Sequence, residues 1–172
     1  MSGIKTILKN NQIKPQFFMP AQQKYLTDEE YKFIYERAVR LCLDFIIVKD
    51  DKVLLSKRDI DPYKGYWHLP GGMVRYKESF DEAAERILKS ELGLKSKMKK
   101  LIGYMQMPDE INENNIPVHS VSIAFLTTLE EGEIRGSEQA HEIEYFASLP
   151  EENLHPIQGK FLKEYWGKLM EM

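Results

Sequence analysis

The sequence predicts an α/β sandwich formed by one domain. Capping boxes, in which a Thr or Ser precedes a Glu by three residues, mark helix starts at Thr27–Glu30 and Ser79–Glu82. Several runs of strand-forming residues surround these helices, a combination typical of α/β or α+β folds. The length of 172 residues also falls within the usual range of a single domain.

The N-terminal segment differs from the rest of the chain. Residues 1–26 lack a clear apolar period, so we expect an arm that is mobile or exchanged between two subunits. A single domain is then expected over residues 27–172. Its first helix should begin after Thr27 and end near residues 37–40.

Strands and two further helices are expected to fill this domain. Asp50 and Asp51 separate two runs of strand-forming residues, which predicts a β-hairpin. The second helix should end at Gly93, because glycine readily adopts the left-handed conformation of a helix C-terminus. A third helix is expected over Pro156–Met170, where large apolar residues recur at helical spacing. The expected strands are Leu41–Val48, one that begins at Val53, Leu101–Met107, Val118–Leu129 and Glu144–Phe146.

Composition excludes several classes of protein. The chain has 27 acidic against 24 basic residues, without the basic excess of a nucleic-acid-binding surface. Its longest strongly apolar stretch, Leu41–Val48, is far too short to span a bilayer. The one cysteine, Cys42, excludes an internal disulfide and fits a reducing compartment. We therefore expect a soluble cytoplasmic protein that binds neither nucleic acid nor membranes.

The segment Gly71–Leu94, GGMVRYKESFDEAAERILKSELGL, carries the chemistry. Its glycines allow backbone carbonyl groups to approach a ligand closely. A carboxylate at Glu91 suits Mg²⁺ that bridges a diphosphate. Arg86 could brace a carboxylate or contact a phosphate. The helical pattern alone is equally compatible with an ordinary amphipathic helix.

Read in full, this segment resembles the Nudix box. That pattern places a Glu six positions after a Gly, then Arg-Glu eight positions later, and ends in Glu-Glu, any residue, Gly and an aliphatic residue. The matching residues are Gly72, Glu78, Arg86, Leu88, Glu91, Gly93 and Leu94. The resemblance, which covers about residues 41–166, implies an α/β/α sandwich with a mixed central sheet. It also implies hydrolysis of nucleoside-diphosphate-linked compounds with Mg²⁺, or Mn²⁺ in its place, and it is compatible with a homodimer.

Two glutamates of the box are replaced, by Ile87 and Ser90. GDP-mannose mannosyl hydrolases resemble this chain at both positions and around Asp44. The resemblance implies one Mg²⁺ on the diphosphate, held by Glu91 and the carbonyl of Gly71, with water attacking the anomeric carbon of the sugar. Glu78 is then expected to be an outer metal ligand or a support for Arg86.

Two adjacent residues are candidates for the general base. The mannosyl hydrolases place a histidine where this chain has His141, and a histidine suits the role because it titrates near neutral pH. Glu142 suits a conventional Nudix pyrophosphohydrolase that attacks phosphorus in ADP-ribose or a nucleotide. A catalytically silent module that binds nucleotide sugars is a third reading.

Four further side chains are candidates for substrate contacts. Arg58 matches a family arginine expected to contact a phosphate or the leaving group, and the alternative is an ordinary surface arginine. Arg86 is a candidate for a phosphate contact or for bracing a carboxylate. Asp44 lies among apolar residues, where a carboxylate needs a partner, either a ligand or an internal ion pair. His119 either faces the substrate or is an ordinary residue at the edge of the sheet.

Overall fold

The computed structural model describes residues 26–112, 116–130, 132–137 and 140–171. Apart from Leu26, the expected N-terminal arm lies outside these residues. The described helices are α1 (Asp28–Tyr35), α2 (Phe80–Leu92) and α3 (Pro156–Met170). The described strands are β1 (Arg40–Lys49), β2 (Lys52–Lys57), β3 (Trp67–His68), β4 (Gly71–Met73), β5 (Ser96–Ile111), β6 (Pro117–Leu129) and β7 (Glu142–Phe146).

The predicted capping boxes are confirmed at both helix starts. In α2 the Ser79 hydroxyl accepts from the amide of Glu82, whose carboxylate accepts from the amide of Ser79 at 2.8 Å. Gly93 ends this helix with φ 74°, the left-handed conformation that the sequence predicted. Helix α1 stops at Tyr35, short of the predicted end near residues 37–40.

The predicted hairpin between β1 and β2 is confirmed. Asp50 and Asp51 both have positive φ, 51° and 55°, as the two-residue turn of a twisted hairpin requires. Val48 therefore pairs with Val53 in antiparallel register. The other predicted strands also form, but β5 and β7 are longer than expected because pairing with β6 and β2 continues past their apolar cores.

The sheet is mixed, as the resemblance implied. Its order is β3-β2-β1-β6-β5, where β1 runs parallel to β6 and the other pairs are antiparallel. Strand β1 pairs with β4 over Cys42–Asp44 and with β2 only at its far end. The sheet therefore forks along β1, and the fork leaves room near Asp44 for a cavity.

Two apolar layers bury the two faces of β1. Ile46 packs on the α3 side with Phe161 and Leu162, and Phe45 packs on the α2 side with Ile87. Side chains alternate along a strand, so Asp44 shares the α3 side with Ile46. The α/β/α sandwich is thereby confirmed, and its strand alternation places a carboxylate inside. No helix in the described ranges combines the length and the apolar character needed to cross a membrane.

Replacement of Ile87 by Glu should destabilise the protein. Ile87 is 3% exposed in the layer between α2 and β1, where a carboxylate would lack a partner. We expect a loss of about 3 kcal/mol of unfolding free energy, or roughly 10 °C in the thermal midpoint, measured by circular dichroism. The matched variant Ser90→Glu, at an exposed position on the same helix, should change stability by less than about 1 kcal/mol. Equal losses in both variants would contradict this placement of Ile87.

Candidate functional site

A cavity of about 850 Å³ opens beside the fork in the sheet. Strands β1 and β4, the last turn of α2 and the first turn of α3 contribute to its walls. Residues Gly71 to Met73 line it from β4, Glu91 from α2, and Gln158 from α3. The cavity thus brings the start and the end of the predicted motif to one place.

Glu91 reaches the cavity through an enclosed carboxyl group. One carboxylate oxygen accepts from the amide of Gly71 at 3.1 Å. The pKa of Glu91 is raised to about 8, mainly by burial and also by charge repulsion from Asp44, while the hydrogen bond from Gly71 and the charge of Arg58 oppose the shift. Gly71 and Glu91, both predicted to hold a metal ion, therefore lie in hydrogen-bond contact.

Asp44 lies behind Gly71, inside the protein. It is 5% exposed, and burial raises its pKa to about 7. Gln158 donates its amide to Asp44 at 3.3 Å and accepts from the backbone of Leu69 at 2.7 Å. The sequence left a ligand or an internal ion pair as the partner of Asp44, and Gln158 was not singled out because no local pattern links it to β1. Contact between Asp44 and a substrate stays a prediction.

Only glycine fits at position 71. A Cβ atom there would overlap Asp44 Oδ1 and would lie 2.6 Å from the carbonyl oxygen of Leu43. The backbone of β4 can therefore approach β1 more closely here than any other residue would allow. This approach brings the Gly71 amide between the carboxyl groups of Asp44 and Glu91.

Glu78 and Arg86 form a bidentate ion pair. Arg86 Nε lies 2.6 Å from Glu78 Oε1, and Arg86 Nη2 lies 2.7 Å from Glu78 Oε2. Arg86 also donates to the carbonyl of Met73 at 2.8 Å, and Glu78 accepts from the amide of Arg75 at 2.9 Å. The Arg86 guanidinium holds the pKa of Glu78 below its usual range. These contacts favour Glu78 as the support for Arg86, and a metal contact from Glu78 stays a prediction.

Arginine side chains also contribute to the lining of this cavity. Arg58, Arg75 and Arg86 all line the cavity. Arg58 Nε donates to the carbonyl of Pro62 at 2.6 Å, which fixes the loop that follows β2. Guanidinium groups are well suited to phosphate oxygens, so phosphate contacts by Arg58 and Arg86 stay predictions that the placement favours.

A second polar cluster closes another part of the cavity. Arg40 donates to Tyr31, Ser120 and Glu110 at 2.8, 2.9 and 2.7 Å, and Ser120 also donates to Glu110 at 2.6 Å. Sequence reasoning missed this cluster because its four members come from separate elements with no motif among them. Tyr31, Arg40 and Glu110 line the cavity, and the Glu110 charge is matched by Arg40.

The two candidate bases lie outside the lining of the cavity. The His141 side chain is 74% exposed, and its Nδ1 atom lies 2.6 Å from Asp59 Oδ2. Glu142 forms an ion pair with Lys57 at 2.9 Å. Ala140, the residue before His141, does line the cavity, so His141 directly follows a lining residue. Residues 138–139 lie outside the described residues, and the roles of His141 and Glu142 stay predictions.

The other histidines differ in their placement. His119 is not among the described residues that line the cavity, and its buried Nε2 has no hydrogen-bond partner within the described structure. A substrate contact from His119 stays a prediction. His68 lines the cavity, and burial lowers its pKa to about 4. His155, which the sequence suggested to be a surface residue, is buried and caps α3 by accepting from Gln158 at 3.4 Å.

The oxygen atoms of the Gly71 carbonyl and the Glu91 carboxylate are suitable ligands for one hard divalent cation. A backbone carbonyl and a carboxylate are oxygen ligands of the type that Mg²⁺ prefers, with water and substrate phosphates completing its shell. Among the described residues, the enclosed Glu91 carboxyl accepts a hydrogen bond from the Gly71 amide, and a bound cation would relieve the cost of its charge. Within the described residues, His, Cys, Asp and Glu form no group of three that could hold a metal by themselves.

Glu91 should make stability fall as pH rises when a chelator is present. Its folded pKa of about 8 exceeds the ordinary value of 4.5, so the unfolded chain releases a proton between these values while the folded chain keeps it. We expect Glu91→Gln to gain stability relative to the parent between pH 5 and 8, on the order of 3 kcal/mol by pH 8. Urea unfolding across this range measures the effect. A difference independent of pH would contradict the raised pKa.

Comparison with known proteins places the chain in a family. The NUDIX domain family matches residues 39–165. The "ADP-ribose pyrophosphatase" of Methanocaldococcus jannaschii is 36% identical over 137 residues, which cover 80% of this chain and 78% of that protein. The "Low-salt glycan biosynthesis protein Agl8" of Haloferax volcanii is 27% identical over 80% of this chain and 88% of that protein.

A solved structure shares the fold. The crystal structure of a NUDIX hydrolase from Nitrosomonas europaea superposes with a TM-score of 0.65 and 22% identity, covering 77% of this chain and 72% of that chain. The family match spans most of the described sandwich and includes the whole predicted box. This chain belongs to the Nudix family, and the predicted class, a hydrolase acting on nucleoside-diphosphate-linked compounds, is confirmed.

Proposed function

We propose that this protein hydrolyses a nucleoside-diphosphate sugar by attack of water on the anomeric carbon of the sugar. One divalent cation, Mg²⁺ or Mn²⁺, is held by Glu91 and the carbonyl of Gly71. The nucleoside diphosphate is the leaving group, and His141 is the general base. The observation that carries this proposal is the number of acidic side chains available at the cavity.

Two acidic residues line the cavity within the described residues, and they differ in their partners. Glu110 is matched by the Arg40 guanidinium at 2.7 Å. Glu91, near the end of the box, accepts a hydrogen bond from the amide of Gly71. Ile87, at a position where the box has a glutamate, is packed against Gly72 in the apolar layer. This arrangement supports one cation, in contrast to the clusters of carboxylates that hold several.

The cation, when bound, neutralises negative charge on the departing diphosphate. Arg58 and Arg86, which both line the cavity, would contact the phosphate oxygens and orient them. Gly71 donates to Glu91, and Gln158 donates to Asp44, so each of the two buried carboxyl groups has a hydrogen-bond donor. The backbone of Leu69 in turn holds Gln158. The cation and the two arginines would all act on the leaving group, so the proposal takes the base from another part of the cavity rim.

His141 would accept the proton of the attacking water. The oxygen of water forms a bond to the anomeric carbon as the bond from that carbon to the phosphate oxygen breaks. The products are the free sugar and the nucleoside diphosphate. The position of His141 beside Ala140, on the rim of the cavity, supports this assignment.

Attack on phosphorus is the second candidate. It is favoured by the 36% identical relative named ADP-ribose pyrophosphatase. Glu142 would then be the base, although its carboxylate is paired with Lys57. The relative named for glycan biosynthesis is compatible with a sugar nucleotide as the substrate.

Isotope labelling distinguishes the two positions of attack. The protein is incubated with GDP-mannose, GDP-glucose or ADP-ribose in H₂¹⁸O with Mg²⁺, and mass spectrometry locates the label. We expect ¹⁸O in the free sugar, because water attacks carbon. Label in a phosphate product would contradict carbon attack and would favour the second candidate. Binding without turnover of any of the three would favour a silent binding module.

Loss of the Glu91 carboxylate should weaken cation binding. We expect Glu91→Gln to reduce affinity for Mn²⁺ by at least about tenfold, since a neutral amide replaces the charged ligand. Titration followed by electron paramagnetic resonance measures free Mn²⁺. Glu85→Gln is the matched control, because Glu85 is exposed on the same helix away from the cavity. Equal affinities in both variants would exclude Glu91 as a ligand.

A further inference from the structure

We propose that Asp59 is a positioning residue that fixes the tautomer and orientation of His141. This inference rests on the proposed function, in which His141 is the general base. Asp59 lies in the loop after β2, and no sequence motif marks it. The contact between the two side chains carries the inference.

One carboxylate oxygen of Asp59 contacts both the backbone amide and the imidazole ring of His141. The Asp59 Oδ2 atom accepts from the backbone amide of His141 at 2.7 Å and lies 2.6 Å from the ring Nδ1 atom. An ionised carboxylate can only accept, so Nδ1 must carry a proton in this contact. The other ring nitrogen, Nε2, is then the one with a free electron pair in the neutral imidazole. A base with this tautomer accepts a proton at Nε2.

The carboxylate of Asp59 is charged in the folded protein. The hydrogen bond from the His141 side chain is the largest cause that lowers the pKa of Asp59, followed by the bond from the His141 backbone. Lys64 acts in the same direction by its charge. The neighbouring Lys57 and Glu142 form an ion pair of their own. These contacts favour the ionised form of Asp59, which accepts hydrogen bonds.

The fold holds the two residues in register. Strand β7 pairs antiparallel with β2, and Lys57 faces Glu142 at the end of this ladder. Asp59 comes two residues after Lys57, and His141 comes one residue before Glu142, so the ladder brings them to the same end.

The loop that carries Asp59 is itself anchored. Arg58 donates its backbone amide to Tyr66 at 3.0 Å and accepts from the amide of Gly65 at 2.7 Å. Arg58 also lines the cavity, as does Ala140 next to His141. The pair of Asp59 and His141 therefore lies where β2 and β7 end beside residues that line the cavity, next to a loop held by backbone hydrogen bonds and by the Arg58 side chain.

The tautomer can be read directly by nuclear magnetic resonance. Long-range ¹H–¹⁵N spectra of the ¹⁵N-labelled protein at alkaline pH, where imidazole is neutral, distinguish protonated Nδ1 from protonated Nε2. His141→Gln identifies the signals by removing them. We expect protonated Nδ1 at His141 in the parent protein and loss of this state in Asp59→Asn. Protonated Nε2 in the parent protein would overturn the proposal, whatever the enzyme's activity.

Kinetics then test the consequence for the reaction. We expect Asp59→Asn to lower kcat for sugar release by about 10²-fold, with Asp59→Glu recovering part of the loss. Asp61→Asn, an exposed carboxylate in the same loop, is the matched control and should keep full activity.

The variants also separate this proposal from the proposed function. Full activity of Asp59→Asn together with an inactive His141→Gln would overturn the role of Asp59 alone. Full activity of His141→Gln would remove the base itself and would overturn both. Loss of activity in both variants, with the isotope label in the free sugar, is the supporting result.

Discussion

The arrangement of the candidate site depends on Gly71, a glycine whose backbone lies close to two enclosed carboxyl groups. Gly71 lies against Asp44 on one side and donates to Glu91 on the other. Any larger residue would separate β4 from β1, because a Cβ atom would overlap the Asp44 carboxylate. The pairing of β4 with β1 and the contact between Gly71 and Glu91 both depend on this close approach.

Burying two carboxylates costs free energy unless other groups stabilise their charges. Burial raises the pKa of both Asp44 and Glu91, and each negative charge would disfavour the other. Gln158 donates an amide hydrogen bond to Asp44, and the charge of Arg58 favours the ionised form of Glu91. Neither group neutralises both carboxylates by direct contact. Carboxyl groups with shifted pKa values are common at functional sites, where enclosing them lowers the stability of the fold.

Local patterns in the sequence predicted the elements, whereas the partners of the site depended on tertiary structure. The capping boxes at Thr27 and Ser79 and the turn at Asp50 act within a few residues, so their physics is readable directly. Gln158, Arg40 and Asp59 reach the site through strand register or helix packing over many residues. The family resemblance implied that Gly71 and Glu91 act together, and the structure brings them into hydrogen-bond contact. It could not show that Glu78 gives both of its oxygens to Arg86.

Helix α1 has a consequence for access to the cavity. None of its residues is buried, and Tyr31 contributes its hydroxyl group to Arg40 at the edge of the cavity. Segments with few buried apolar contacts open at a lower free energy than the core. Release of this one helix would uncover the Arg40 end of the cavity while the sandwich stays folded. Opening at this end of the cavity would therefore break the hydrogen bond between Arg40 and Tyr31.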